Sequence, residues 1–311
     1  LKANGINYDS SVSLQTIEKD LATKKSSFSS DLQIKIEQLQ DADYVYLSDS
    51  GDVYSSKRGY LGKADKIEEN NISDTSSSLQ NSTITPLSQS NPTVSEIFGG
   101  TTGAFERRQL GSSGFNGIIS NVTLPTISNV TVNEQPWVYY GFENSVGALE
   151  GGYAYQTGSG IWLPYIKNVA SGYLYADSAY AKSSGTTVNN FKFYIQLASG
   201  QTYYTAYLVE VGATNTVVRF ASTPWTSISD LSVKRVTSIG QNNFNGSDIL
   251  TKSMNQKWDS VQVSKYNSGG IYTSWSAFIE YSEWKNNMWY GTIDCTSSYV
   301  HRSNGYVSLY L

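Results

Sequence analysis

From about residue 99 onward the chain alternates apolar and polar positions with a period of two. Phe191, Phe193, Ile195 and Leu197 share one parity in the run from Asn190 to Leu197. Tyr203, Thr205, Tyr207, Val209 and Val211 alternate with Tyr204, Ala206, Leu208 and Glu210. Trp258, Ser260, Gln262 and Ser264 alternate with Val261 and Val263, and Trp275, Ala277, Ile279 and Tyr281 with Ser276, Phe278 and Glu280. Strict alternation sends successive side chains to opposite faces of a strand. Clusters of Gly, Asn and Ser separate the runs, at 158–160, 183–185, 198–200, 242–247 and 268–270. Many strands of this length with turn signals between them predict a mainly β domain. The expected form is a two-sheet antiparallel jelly-roll sandwich of the concanavalin-like kind over residues 99–311. Several strands carry apolar or aromatic residues at both parities, so the outer faces are expected to display aromatics.

The first third of the chain follows other patterns. Leu14, Leu21 and Phe28 recur every seven positions, Ile17 adds a neighbour, and Leu32 and Leu39 continue a shifted stripe. This predicts a helical extension over residues 1–43, with residues 11–40 able to oligomerise the chain as a short coiled coil or hairpin. Tyr44 and Tyr46 are separated from Val53 and Tyr54 by Ser48-Asp49-Ser50-Gly51-Asp52. Residues 44–65 therefore read as a β-hairpin. Residues 66–98 are polar, hold Pro86 and Pro92 and almost no large apolar side chain. They read as a linker that buries too little surface to offset its ordering entropy. The helical extension has two readings, a prosegment or oligomerisation element and a simple spacer. Lys57-Arg58 and Arg107-Arg108 are dibasic pairs at which processing was weighed.

Composition removes whole classes of function. The 311 residues include one Cys and one His, too few for a zinc site of four Cys or His ligands or for an intrachain disulfide framework. A net charge of -4 opposes the basic footprint of a nucleic-acid binder. No run of 18 apolar residues spans a membrane. Aromatics are unevenly placed: 9 precede residue 137 and 32 follow, including all seven Trp. Residues 1–136 hold 16 acidic and 11 basic side chains, and residues 137–311 hold 10 and 11. The acidity therefore belongs to the N-terminal part and the aromatic domain is near neutral. The polar, Tyr/Ser/Thr/Asn-rich composition fits an extracellular protein.

Three segments carry a family resemblance. Pro136-Trp137-Val138-Tyr139-Tyr140-Gly141-Phe142 is followed by Leu149-Glu150-Gly151-Gly152-Tyr153-Ala154-Tyr155-Gln156 and by Trp162-Leu163-Pro164-Tyr165-Ile166-Lys167. With Gly114-Phe115-Asn116-Gly117-Ile118 and Leu124-Pro125 upstream, this resembles the YrpD/YncM type of small secreted Bacillus proteins over roughly residues 99–311. The resemblance implies export and a β-sandwich. It implies no catalytic residues.

Cys295 and His301 are six apart, but a thiol dyad also needs a third, orienting group, and no Gly-x-Ser-x-Gly elbow nominates a serine. Glu280 and Glu283 have odd spacing, which sends them to opposite faces of a regular strand. Glu143 and Glu150 form the better pair of carboxylates. If Asn144–Gly147 is a four-residue hairpin loop, Glu143 faces residue 148 and Glu150 lies diagonally on the same face. Gln156 extends that face if the strand runs straight. Such a set would serve an acid/base hydrolase of glycans or peptides, including one with a Glu–Gln pair as in glutamic peptidases of similar fold, although none of that family's motifs is present. Asn242-Asn243-Phe244-Asn245-Gly246-Ser247-Asp248 offers oxygens of the kind a structural calcium takes, but lacks the spaced acidic frame and closing Glu. No cofactor or metal site is otherwise predicted.

The leading expectation is a secreted, non-catalytic module for a glycan or cell-wall polymer. Its platform would be Trp162 and Tyr165, which flank Pro164, and Trp284 and Trp289, which flank Lys285-Asn286-Asn287. The alternatives are a hydrolase using Glu143 and Glu150, and an extracellular assembly protein.

Overall fold

The structure, a computed structural model, describes residues 41–66, 103–128, 130, 134–168, 171–197, 202–212, 215–241, 253–286, 299–303 and 306–310. The N-terminal strands are β1 (Asp43–Leu47), β2 (Asp52–Ser55), β3 (Gly59–Lys63) and β4 (Asp65–Lys66). There follow β5 (Gly103–Leu110), β6 (Phe115–Thr123), β7 (Ile127–Ser128), β8 (Glu134–Asn144), β9 (Gly147–Gln156), β10 (Ile161–Asn168), β11 (Tyr173–Ala176) and β12 (Lys182–Ser183). The remaining strands are β13 (Thr187–Leu197), β14 (Tyr204–Val211), β15 (Thr216–Ser222), β16 (Ser232–Gln241), β17 (Ser253–Lys265), β18 (Tyr272–Ser274), β19 (Glu280–Asn286), β20 (Tyr299–Ser303) and β21 (Tyr306–Tyr310).

These strands form two sheets. The first runs β20-β21-β17-β6-β13-β14-β15-β1-β2-β3, with β18 and β7 also on β17. The second runs β19-β5-β16-β8-β9-β10-β11-β4, with β12 on β10. Their inner faces share one core, in which Phe193, Ile195, Leu208 and Val217 of the first sheet meet Tyr140, Phe142, Tyr153 and Ile166 of the second. Full burial of each such side chain stabilises the fold by roughly 1.5–3 kcal/mol. The expected mainly β, antiparallel two-layer sandwich is therefore present. At Gly151 an added Cβ would lie 3.1 Å from Leu208 and 3.3 Å from Phe193, so the two layers meet closely across β9.

The second sheet is apolar on its other face too. Tyr139, Ala154, Tyr165, Leu174 and Val236 form a separate buried cluster there, with Trp137 and Ala176 packed against it.

Several sequence expectations change. Trp275–Ala277 is a short 3-10 turn, not strand, and regular pairing resumes at Glu280. The hairpin read over 44–65 forms as β1, β2 and β3, but it is built into the sandwich. β1 pairs in parallel with β15, and β4 pairs antiparallel with β11. Residues 43–66 thus extend one sheet and then the other. Residues 11–40, and the predicted linker apart from Lys66, lie outside the described residues. Processing at Arg107-Arg108 is disfavoured, because both sit mid-strand in β5, paired to β16 on one side and β19 on the other.

Candidate functional site

The three segments that carry the family resemblance form β8, β9 and β10, adjacent strands of the second sheet. β8 and β9 are joined by a tight hairpin in which Asn144 pairs with Gly147, Glu143 with Ala148 and Gly141 with Glu150. The connection is two residues, Ser145 and Val146, rather than four. Asn144 holds it: its Oδ1 accepts the Val146 N–H at 2.9 Å and the Trp225 indole N–H at 2.8 Å.

This register sends Glu143 and Glu150 to the face turned away from the inter-sheet core. Phe142 and Leu149, their strand neighbours, point into that core. β16 and β5 then supply cations to the same face. Lys234 lies opposite Gly141 and runs across the space that a side chain at 141 would take. An added Cβ there would be 2.5 Å from Lys234 Cε. The glycine is what lets the lysine reach over β8 to both carboxylates.

Lys234 Nζ is 2.7 Å from Glu143 Oε2 and 3.9 Å from Glu150 Oε1. Arg107 Nη2 donates to the other Glu143 oxygen and, at 2.6 Å, to Gln109 Oε1. The Lys234 side chain is 4% exposed, against 17% for Glu143 and 19% for Glu150. Glu143 is therefore clamped between two cations. Glu150 is held only through the loose contact to Lys234, and no hydrogen bond to its carboxylate is made among the described residues. Lys167 of β10, in register with Glu150, adds a third cation to this face, so no carboxylate here stands without a positive charge nearby.

An aromatic floor adjoins the cluster. Tyr139 pairs across with Gly152 and Tyr165 with Gly152 from the other side, so the two rings flank a bare glycine. Trp137 meets Tyr165 edge-on at 4.8 Å between ring centroids. Burial first, and then the negative charge of Glu150, push the Tyr165 phenol well above its ordinary pKa. It stays neutral.

The displayed-aromatic expectation fails on burial. Trp162 is fully buried, its indole N–H donating to the Pro125 carbonyl at 3.0 Å and reaching Ser184 Oγ at 3.2 Å. Tyr165 is 1% exposed. Alternation around Pro164 puts one of these rings in the main core and the other in the outer cluster, and neither offers a face to a sugar. Trp284, on β19, is in register with Glu106 of β5; its side chain lies outside the described residues, as do Trp289 and Cys295. His301 is a β20 backbone position. The loop at 242–248 also lies outside the described residues. Among those described, no group of three or more His, Cys, Asp and Glu is placed to hold a metal, and no helix is long and apolar enough to cross a membrane.

Gln156 shares the parity of Glu150, and β9 does run straight to it. Six residues of strand, however, separate the two by about 20 Å, so Gln156 is exposed and remote from the carboxylates. Lys234 and Arg107 were missed from the sequence. They come from strands distant in the chain, and only the sheet order brings them beside Glu143.

No family model matches the sequence, and no curated protein does. Among solved structures, similar folds include a scytalido-glutamic peptidase with a peptide-based transition-state analogue, at 13% identity and TM-score 0.40, covering 68% of this chain and 100% of that one. SCP-B, a member of the eqolisin family of peptidases, in a complex with the tripeptide Ala-Ile-His, matches at 14% identity and TM-score 0.42 over 68% of this chain and 100% of its own. A further scytalido-glutamic peptidase, with a transition-state analogue inhibitor, matches at 16% identity and TM-score 0.41, over 68% and 98%. Likeness this distant assigns no residue a role. Trp162 and Tyr165 are both buried, and the leading expectation of a non-catalytic glycan module that displays them is withdrawn.

Proposed function

We propose that the chain is an extracellular hydrolase of amide bonds, acting at the Glu143, Glu150 and Lys234 cluster on the outer face of the second sheet. The observation that carries this is the asymmetry of the two carboxylates. Glu143 is fixed by Arg107 and Lys234, whereas Glu150 accepts no hydrogen bond among the described residues and keeps some access to solvent. A carboxylate in that condition suits a general base. Glu150 would take a proton from a water as its oxygen adds to an amide carbonyl carbon. Lys234, held in place by Glu143, would donate to the oxygen on which negative charge develops. As the C–N bond breaks, Glu150 would return the proton to the leaving amine.

The cluster suits amides better than glycosides. A glycosidase needs one carboxyl kept as an acid to protonate the leaving oxygen. Here an ammonium group lies against both carboxylates. Trp137, half-buried beside the cluster and packed on the buried Tyr165, favours substrates with an apolar side chain near the cleaved bond.

The test is digestion of a mixed peptide library by the full chain, read by mass spectrometry. The reading expects cleavage that Glu150→Gln reduces by at least about 100-fold at a melting temperature within a few degrees of wild type, and that Lys234→Met, although it loses stability with the buried ion pair, reduces by at least about 100-fold in its folded form. Cleavage that persists in both folded variants would place the chemistry elsewhere. No cleavage by the wild-type chain from acid to neutral pH would reject the hydrolase.

A further inference from the structure

We propose that residues 43–66 form a ribbon that staples the two sheets together along one side, latched by a closed network of six charges, and that acid releases this ribbon as a unit before the sandwich unfolds. The inference is independent of the hydrolase reading.

Topology gives the staple. β1 is added to β15 in parallel, β2 and β3 extend that edge, and β4 crosses to the edge of the second sheet beside β11. The ribbon buries Val45, Leu47 and Val53 in the main core. Its own hairpin supplies little of that burial, so the ribbon depends on the sandwich for its order.

Charge gives the latch. Arg58, in the turn between β2 and β3, makes a two-pronged pair with Asp177, Nη1 to Oδ1 at 3.0 Å and Nη2 to Oδ2 at 2.9 Å. Its Nε donates to Asp43 Oδ2 at 2.9 Å. Asp43 also accepts from Ser55 Oγ at 2.6 Å, from Tyr180 Oη at 2.9 Å, and more weakly from Ser56 Oγ and the Lys57 N–H. Behind Asp177 stands Arg219, fully buried, 3.5 Å from Asp177 and 3.3 Å from Glu210. Lys182 closes the chain on Glu210 at 2.5 Å. Tyr180 lies under both guanidinium groups, Tyr175 faces Asp177 and Arg58, and the Tyr153 phenol faces Glu210 and Arg219. Three carboxylates meet three cations. Asp43, Asp177, Glu210 and Arg219 are all at most 3% exposed.

Such a network is stable only while its charges match. Protonating a carboxylate leaves a buried guanidinium uncompensated, and an uncompensated buried charge is strongly destabilising. Asp43 shows the sign. Burial acts to raise its pKa, but hydrogen bonds from Ser55, Tyr180 and Arg58 and the Arg58 charge outweigh burial, and the carboxyl lies below its ordinary value of 3.8. A depressed carboxyl stabilises the fold above its unfolded pKa, and that contribution is lost as pH falls through the lower folded value. The ribbon holds two of the six charges, so it is the part free to leave.

The release would reach the second sheet. Asp65 pairs with Leu174, Leu174 with Lys167, and Lys167 with Glu150. This row spans three inter-strand gaps, about 15 Å in all, so the ribbon ends at the edge of the strands that carry Glu150.

Hydrogen exchange on the full chain tests the proposal, comparing amides of 44–47 and 53–55 with those of 191–196 and 205–210. At pH 7 both sets should be protected. Near pH 3, after correction for intrinsic rates, the ribbon should exchange at least about tenfold faster while the β13 and β14 amides stay protected. Arg58→Met should open the ribbon already at pH 7, and Arg58→Lys should fall between. If Arg58→Met does not fold, Arg58→Lys and the wild-type pH series still decide. Exchange of both sets together at every pH, or a ribbon equally protected at pH 3 and pH 7, would overturn the latch.

Discussion

The molecule carries two clusters of opposite charges that differ in how fully they are closed. In the ribbon network each carboxylate has a cation partner, and Arg219 is fully enclosed. On the outer face of the second sheet, Glu143 is equally well held, but among the described residues Glu150 beside it has only a 3.9 Å contact to Lys234. The first arrangement turns its charges on one another, although Arg219 Nε and Nη2 make no hydrogen bond among the described residues, and serves the fold. The second leaves one carboxylate partly uncommitted near solvent. A fold has no need of that incompleteness, and a reaction does.

The comparison can be broken at either end. The largest expected effect is on the closed network. Arg219→Met leaves Glu210 and Asp177 short of a partner and should lower stability by about 3–5 kcal/mol, read from the midpoint of urea unfolding. An unchanged midpoint would mean that the network contributes nothing to holding the sheets. Trp162→Ala, in the main core and in register with Lys182 at the end of the ribbon network, should cost a similar amount, about 3–5 kcal/mol. A fully stable variant would mean that the indole is displayed and not packed.

A smaller effect follows from pH. Because the Asp43 carboxyl is depressed, wild-type stability should hold above about pH 4 and decline below it. Asp43→Asn should be less stable at neutral pH and flatter across the acid range. Parallel curves would remove Asp43 from the latch. Smallest is the stability change on Glu150→Gln. Its one ion pair is loose and partly exposed, so the expected cost is under about 1 kcal/mol, seen as a melting temperature within a few degrees of wild type. A larger loss would show Glu150 to be structural.

How far the sequence discloses this depends on distance along the chain. The β8–β9 hairpin can be read locally. A tight turn at 144–147 fixes which residues oppose each other, and so Glu143 and Glu150 fall on one face whichever loop length is chosen from the two considered. Lys234 and Arg107 follow no local signal, because β16 and β5 reach β8 only through the order of the sheet. The latch has the same character, with Arg58 and Asp177 separated by 119 positions. The burial of Trp162 and Tyr165 is hidden for another reason. Alternation shows only that two residues face opposite ways, and proximity to a turn does not make a side chain exposed. In a sheet apolar on both faces, each direction leads into a packed cluster. Residues 275–277 look like strand by parity, yet parity over three residues cannot separate strand from a single 3-10 turn.

The central claim is that Glu150 and Lys234 work as one hydrolytic unit. The most direct test is a double-substitution cycle on kcat/KM for a peptide that the full chain cleaves, using Glu150→Gln, Lys234→Met and the two together. The account predicts that either change alone removes nearly all of the rate and that the double variant is no slower than the worse single one. Losses that simply multiply, or a rate unaffected by either substitution, would contradict it.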